Sequence, residues 1–193
     1  MRKYEKMKRA IVVYSSKRGS TKQYAEWIAE ELSQTCECDL FNMQDKSKFN
    51  LYEYDLIVYG GWIRGSGIVD FDNFSKLLDD ELMRKMIVFG VGIADETPDN
   101  YMQVWSLNIG KLDPRNQNKS ILYILAGRYD PASITGFDSF LMKISKKVML
   151  SGATAEASGA AAVMKDRIEN GCDRVSRDNI KSLIKDCNKI INL

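Results

Sequence analysis

Four short stretches are continuously apolar: Ala10–Tyr14, Leu56–Tyr59, Met86–Phe89 and Ile121–Leu125. None alternates with polar residues, and each is followed by glycine or other small residues. β-Rich runs of this length predict strands buried on both faces, as a parallel sheet requires. The more polar Glu37–Phe41 predicts an edge strand. Between these runs the apolar period changes to three and four. Tyr24, Ala25, Ile28, Ala29 and Leu32 predict a helix whose start Ser20 or Thr21 can cap. Phe71, Phe74, Leu77 and Leu78 predict a second helix, and Tyr101, Trp105 and Ile109 a third. Ile180, Leu183, Ile184, Cys187, Ile190 and Ile191 predict a terminal helix capped by Ser176.

Strand and helix in alternation predict a doubly wound α/β fold, with right-handed crossovers that put helices on both faces of the sheet. The 193 residues read as one domain, 1–193, with an insertion over about 127–175 that carries its own helix. Ligands of such sheets bind outside the carboxyl ends of the strands. That rule selects four loops: 15–21, 60–68, 90–97 and 126–137.

The first loop has the most explicit chemistry. Ser15, Ser16, Lys17, Arg18, Gly19, Ser20 and Thr21 run from a buried strand into a helix. The helix start offers unpaired amides and a dipole that favours an anion, four hydroxyls can donate, and Gly19 permits a tight turn. This is the pattern of a phosphate cradle. The nucleotide triphosphate loop has no match in the chain, and the dinucleotide fingerprint needs three spaced glycines where one is present. A polar strand-to-helix turn with no ligand remains the alternative.

Composition narrows the chemistry by subtraction. The chain has no histidine, which removes imidazole metal sites and the commonest general acid–base. Cys36, Cys38, Cys172 and Cys187 show no zinc spacing and read as free thiols of a reducing compartment. No metal is expected. A net charge of +2 gives no reason to expect nucleic acid. The basic N-terminus leads into an apolar run too short for a signal peptide or a span, so a cytoplasmic protein is expected.

The phosphate loop resembles that of the flavodoxin family, Ser/Thr-x-Thr-Gly-x-Thr. Ser16, Gly19 and Thr21 match, and Arg18 stands where the family prefers threonine. The resemblance implies a flavodoxin-like three-layer α/β/α sandwich, a five-stranded parallel sheet in the order 2-1-3-4-5, and FMN as cofactor. It also implies that the second loop, with Gly60, Gly61, Trp62, Ile63 and Arg64, packs against the flavin ring. Trp62 reads as a stacking partner or an ordinary packed aromatic, and Arg64 as a contact near the ring or a solvated charge. Gly92, Ile93, Ala94 and Asp95 would flank the ring from the third loop.

A narrower similarity is to the flavodoxin-like, menaquinone-dependent protoporphyrinogen IX dehydrogenase family of haem synthesis. The residues that carry it are the Ile63–Arg64 and Arg128–Tyr129 steps, the Phe137-Asp138-Ser139-Phe140 segment and Met149-Leu150-Ser151-Gly152. Trp62 departs from that family's small residue, and residues 153–175 do not follow it closely. The resemblance implies an FMN-dependent oxidoreductase with a porphyrinogen substrate and a quinone or a redox protein as partner; it assigns no catalytic residue outright, Arg64 and Tyr129 being the candidates for contact, with Tyr129 reading also as a packed loop aromatic. An electron carrier without its own substrate and a non-catalytic flavodoxin-fold binding module are the alternatives. Lys17, Arg18, Arg64 and Arg128 would form a cationic rim that favours the reduced cofactor. A helix over 137–150, apolar on one side and lysine-rich on the other, would pack on the sheet or rest peripherally on the inner membrane face.

Overall fold

The computed structural model describes residues 7–133 and 159–192. Five strands, β1 (Arg9–Ser15), β2 (Glu37–Asn42), β3 (Leu56–Arg64), β4 (Met86–Gly92) and β5 (Ile121–Ala126), form one parallel sheet in the order β2-β1-β3-β4-β5. The polar run is an edge strand, as its composition predicts. The helices are α1 (Ser20–Leu32), α2 (Phe71–Ser75), α3 (Asp80–Met83), α4 (Pro98–Leu107), α5 (Pro114–Gln117), α6 (Gly159–Asn170) and α7 (Lys181–Ile191).

The period of two along each strand divides the apolar side chains between two cores. Ala10, Val12, Val58, Ile87 and Phe89 pack on one face with Tyr24, Ile28 and Leu32 of α1 and Leu183, Cys187 and Ile191 of α7. Ile11, Val13, Ile57, Tyr59 and Val88 pack on the other with Phe71, Phe74, Leu82, Val104 and Ile109. Because both faces are covered, neither strand period is polar, which is why the runs read as continuous.

Three expectations change at element ends. The N-cap of α1 is Gly19, at φ 89°, with no side-chain cap; Ser20 and Thr21 already lie inside the helix and are buried. The second helix stops at Ser75, and Leu77 is exposed. The third stops at Leu107 because Asn108 leaves helical geometry and turns its amide onto the carbonyl of Val104 at 2.6 Å. Ile109 is still buried, but in a 3-10 turn. Ser176 does cap the terminal segment, its hydroxyl accepting from the amide of Asp178 at 3.3 Å.

Within the interval 127–175 the described helix is α6, and Arg128–Tyr129 pairs antiparallel with Cys172–Asp173. The 137–150 helix lies outside the described residues. All four cysteines are free, and burial pushes the Cys38 thiol up to about 12. Among the described residues no helix is long and apolar enough to cross a membrane.

Candidate functional site

A cavity of about 400 Å³ opens at the carboxyl ends of β1, β3, β4 and β5. All four loops selected by the strand-end rule contribute to it.

The first wall is the turn into α1. Ser16, Lys17, Arg18, Ser20 and Thr21 line the cavity. The amide of Gly19 donates to Ser16 Oγ at 3.2 Å, and the left-handed Gly19 starts the helix with its carbonyl accepting from Gln23 at 2.8 Å. Among the described residues nothing accepts from the amides of Ser20, Thr21 or Lys22. Three parallel donors at a helix start favour an anion beside them. Ser15 has a different job: its hydroxyl donates to the Asp70 carboxylate, tying β1 to the start of α2, and it does not line the cavity.

The second wall is a hairpin where the sequence reads as a loop. β3 continues through Gly60 and Gly61 to Arg64, turns through Gly65 (φ 54°) and Ser66 (φ 65°), and returns as Gly67–Ile68. Two successive positive φ values are the mark of a type I′ hairpin turn. Trp62, Ile63, Arg64 and Gly65 line the cavity, and Lys17 Nζ lies 5.8 Å from the Trp62 ring centroid, within cation–π range. Gly60 and Gly61 face packing instead. A Cβ on Gly60 would stand 2.0 Å from Phe89 Cζ, and one on Gly61 would stand 2.5 Å from an Ile68 methyl.

Val91, Gly92 and Ile93 form the third wall, and Gly127, Arg128 and Tyr129 the fourth. The two walls touch where the amide of Gly127 donates to the carbonyl of Gly92 at 2.7 Å. The amide of Arg128 donates to Ser20 Oγ at 3.3 Å, which joins the fourth wall to the first. Ala94 and Asp95 do not line the cavity. Asp95 is held by Arg167 and Arg174, and the Arg167 hydrogen bonds keep its carboxyl below the usual carboxylate range.

The cavity thus gathers Ser16, Lys17, Arg18, Ser20, Thr21, Trp62, Ile63, Arg64, Gly92, Ile93 and Tyr129 of the sequence-derived set. Ser15, Gly19, Gly60, Gly61, Ala94 and Asp95 support it from behind or lie outside it. Gly65, Val91 and Gly127 escape a residue-type reading because they flank chemistry without carrying any. Among the described residues that line it, four are cations and none is acidic.

These residues fit a flavin mononucleotide. Helix-start amides, hydroxyls and cationic side chains at the first wall suit a phosphomonoester, and Trp62, Ile63, Val91 and Ile93 supply apolar surface for a planar ring.

A flavodoxin domain model matches residues 11–156, and the chain belongs to that family. No curated protein matches the sequence. Among solved structures, similarity is found to flavodoxin 2 from Bacillus cereus, at 23% identity and TM-score 0.42, over 61% of this chain and 85% of that one. A flavodoxin from the domain Archaea shows 23% identity and TM-score 0.38, over 65% and 86%. The Flv1 flavodiiron core from Synechocystis sp. PCC6803 shows 14% identity and TM-score 0.44 over 62% of this chain; the aligned part spans only 30% of that protein.

Proposed function

We propose that the cavity binds FMN and that the protein is an FMN-dependent redox protein. The supporting observation is the coincidence at one strand end of helix amides unmet among the described residues, behind Gly19, with a lining whose described residues include four cations and no acid. Ser16, Ser20, Thr21 and the amides of residues 20–22 hold the phosphate, and Lys17 and Arg18 offset its charge. Trp62, Ile63, Val91 and Ile93 enclose the ring and keep water from it. The bound cofactor supplies the electron transfer chemistry, and the protein tunes it through charge and packing. Arg64 keeps positive charge at the cavity, which favours added electrons on whatever is bound there, whereas the charge of Arg128 is offset by its ion pair with Asp173.

Titration with FMN and with riboflavin tests this directly. Tight FMN binding with much weaker riboflavin binding is expected, because riboflavin lacks the phosphate the first wall is built for. Equal affinities, or none, would sink the reading.

Within that class we favour an oxidoreductase of the protoporphyrinogen IX dehydrogenase type that passes electrons to a quinone. Support comes from the Ile63–Arg64 and Arg128–Tyr129 steps lining one cavity. An electron carrier without its own substrate is the second reading. The cavity volume favours it, since about 400 Å³ among the described residues is near the low end of ligand pockets, ~300–1,000 Å³. An anaerobic assay with protoporphyrinogen IX and a soluble quinone separates the two: turnover supports the dehydrogenase, and its absence with FMN bound supports the carrier.

A further inference from the structure

Among the described residues, none of 162–175 lines the cavity, yet this segment holds two of its four walls. Arg167 on α6 reaches the third wall with a side chain only 13% exposed. Its Nη1 donates to the carbonyl of Ile93 at 2.7 Å, and its Nη2 donates to both carboxylate oxygens of Asp95 at 2.9 and 3.0 Å. Arg174 Nη1 adds a second cation to Asp95 at 2.7 Å. On the fourth wall, Cys172–Asp173 pairs with Arg128–Tyr129, Arg128 Nε donates to Asp173 at 2.6 Å, and the amide of Arg174 donates to the carbonyl of Gly127 at 3.3 Å.

The stretch between Gly92 and Pro98 has no ladder or helix of its own to order it. Its inner side faces the cavity at Ile93, and its outer side is fastened by Arg167, by Asn100 Nδ2 on the carbonyl of Asp95 and by Thr97 capping α4. Of these fastenings, Arg167 reaches back to Ile93, the lining residue. A planar guanidinium can engage a carbonyl and a carboxylate at once, in fixed directions, which an ammonium point charge does not do. A wall already held in one geometry need not be ordered when a ligand arrives, and affinity rises accordingly.

We propose that Arg167 is a positioning residue of the cavity, setting the third wall through Ile93 and Asp95 and so making ligand affinity depend on the segment beyond the last strand. Taking FMN as the ligand rests on the function proposed above; the fastening itself does not. The test compares the full chain with Arg167→Gln and Arg167→Lys by amide hydrogen exchange without FMN and by FMN titration. In Arg167→Gln, exchange is expected to quicken at least tenfold at the amides of Asn100, Tyr101 and Gly127, which donate to Thr97 and Gly92 of the third wall, and to stay unchanged in β1 and α1. The FMN dissociation constant is expected to rise about tenfold, with a shifted visible spectrum for the bound flavin. Arg167→Lys should recover little, because one ammonium cannot satisfy both partners.

Unchanged exchange at Asn100, Tyr101 and Gly127 overturns the proposal. So does faster exchange with unchanged FMN affinity and spectrum, since Arg167 would then serve stability alone. A wild-type chain that fails to bind FMN removes the FMN reading, while the exchange comparison still decides the fastening. Should Arg167→Gln not fold, Asp95→Asn, which retains the Ile93 contact, carries the same comparison with a smaller expected change.

Discussion

Arg64 stands at the tip of the hairpin, exposed and lining the cavity. If its charge favours the reduced cofactor, Arg64→Ala is expected to lower the two-electron midpoint, where ~30 mV corresponds to about 1.4 kcal/mol. A potentiometric titration of both proteins reads this, and an unchanged midpoint contradicts it. Thr21 is buried at the first wall, inside the helix that begins at Gly19. Thr21→Ala is expected to weaken FMN binding by about 1 kcal/mol if its hydroxyl donates to the phosphate. Asp95 makes a pH-dependent contribution whose sign is set by its lowered pKa, caused first by the hydrogen bonds from Arg167. A carboxyl depressed on folding stabilises the protein above its unfolded pKa, about 3.9, and this contribution fades as pH falls through the lower folded value. Asp95→Asn should therefore be less stable than wild type at pH 7, with urea unfolding curves that converge below the carboxylate range.

At the level of elements, the hairpin is the main revision to what the chain suggests on its own. A Gly-Gly pair after an apolar run reads as the end of a strand, because glycine is the usual turn residue. Here Gly60 and Gly61 are strand residues whose missing side chains make room for Phe89 and Ile68. Their purpose is set by neighbours far away in sequence, so no local pattern could disclose it. Gly60→Ala is expected to cost about 1–3 kcal/mol in chemical denaturation through overpacking, and Phe89→Leu in the same chain should recover part of it. The same hairpin hangs on Asn108, which is buried. Its Oδ1 accepts from the amide of Ile68 at 2.7 Å, and its Nδ2 donates to the carbonyl of Ser66 at 2.9 Å. An asparagine ending an amphipathic helix looks like an ordinary stop signal; its service to a hairpin forty residues earlier appears only when the chain is folded.

Across the whole molecule, Tyr24 joins three separate parts. Its hydroxyl donates to the carbonyl of Ala126 at the end of β5, at 2.6 Å, and accepts from the amide of Ser176 and from Asn179 Nδ2. Tyr24→Phe leaves these groups without that partner and is expected to cost about 1–3 kcal/mol of global stability, measured by thermal or urea unfolding. From its spacing in the chain, Tyr24 is only one more apolar position on a helix.

The fold class, the strand order implied by the flavodoxin resemblance, the two-sided core and the four loops that carry the cavity are all legible from the chain alone. Each follows from periodicities and turn chemistry that operate over a few residues, and the family's phosphate loop is itself a contiguous stretch. What only the folded molecule decides is which members of those loops face inward. Ser15 and Asp95 carry suitable chemistry but are claimed by Asp70 and Arg167. Gly60 and Gly61 are claimed by packing, while Val91 and Gly127 gain a place at the cavity with no distinctive chemistry of their own. The physical reason is competition: a polar group or a missing side chain goes to whichever neighbour three dimensions bring nearest, and the distance along the chain does not record that neighbour.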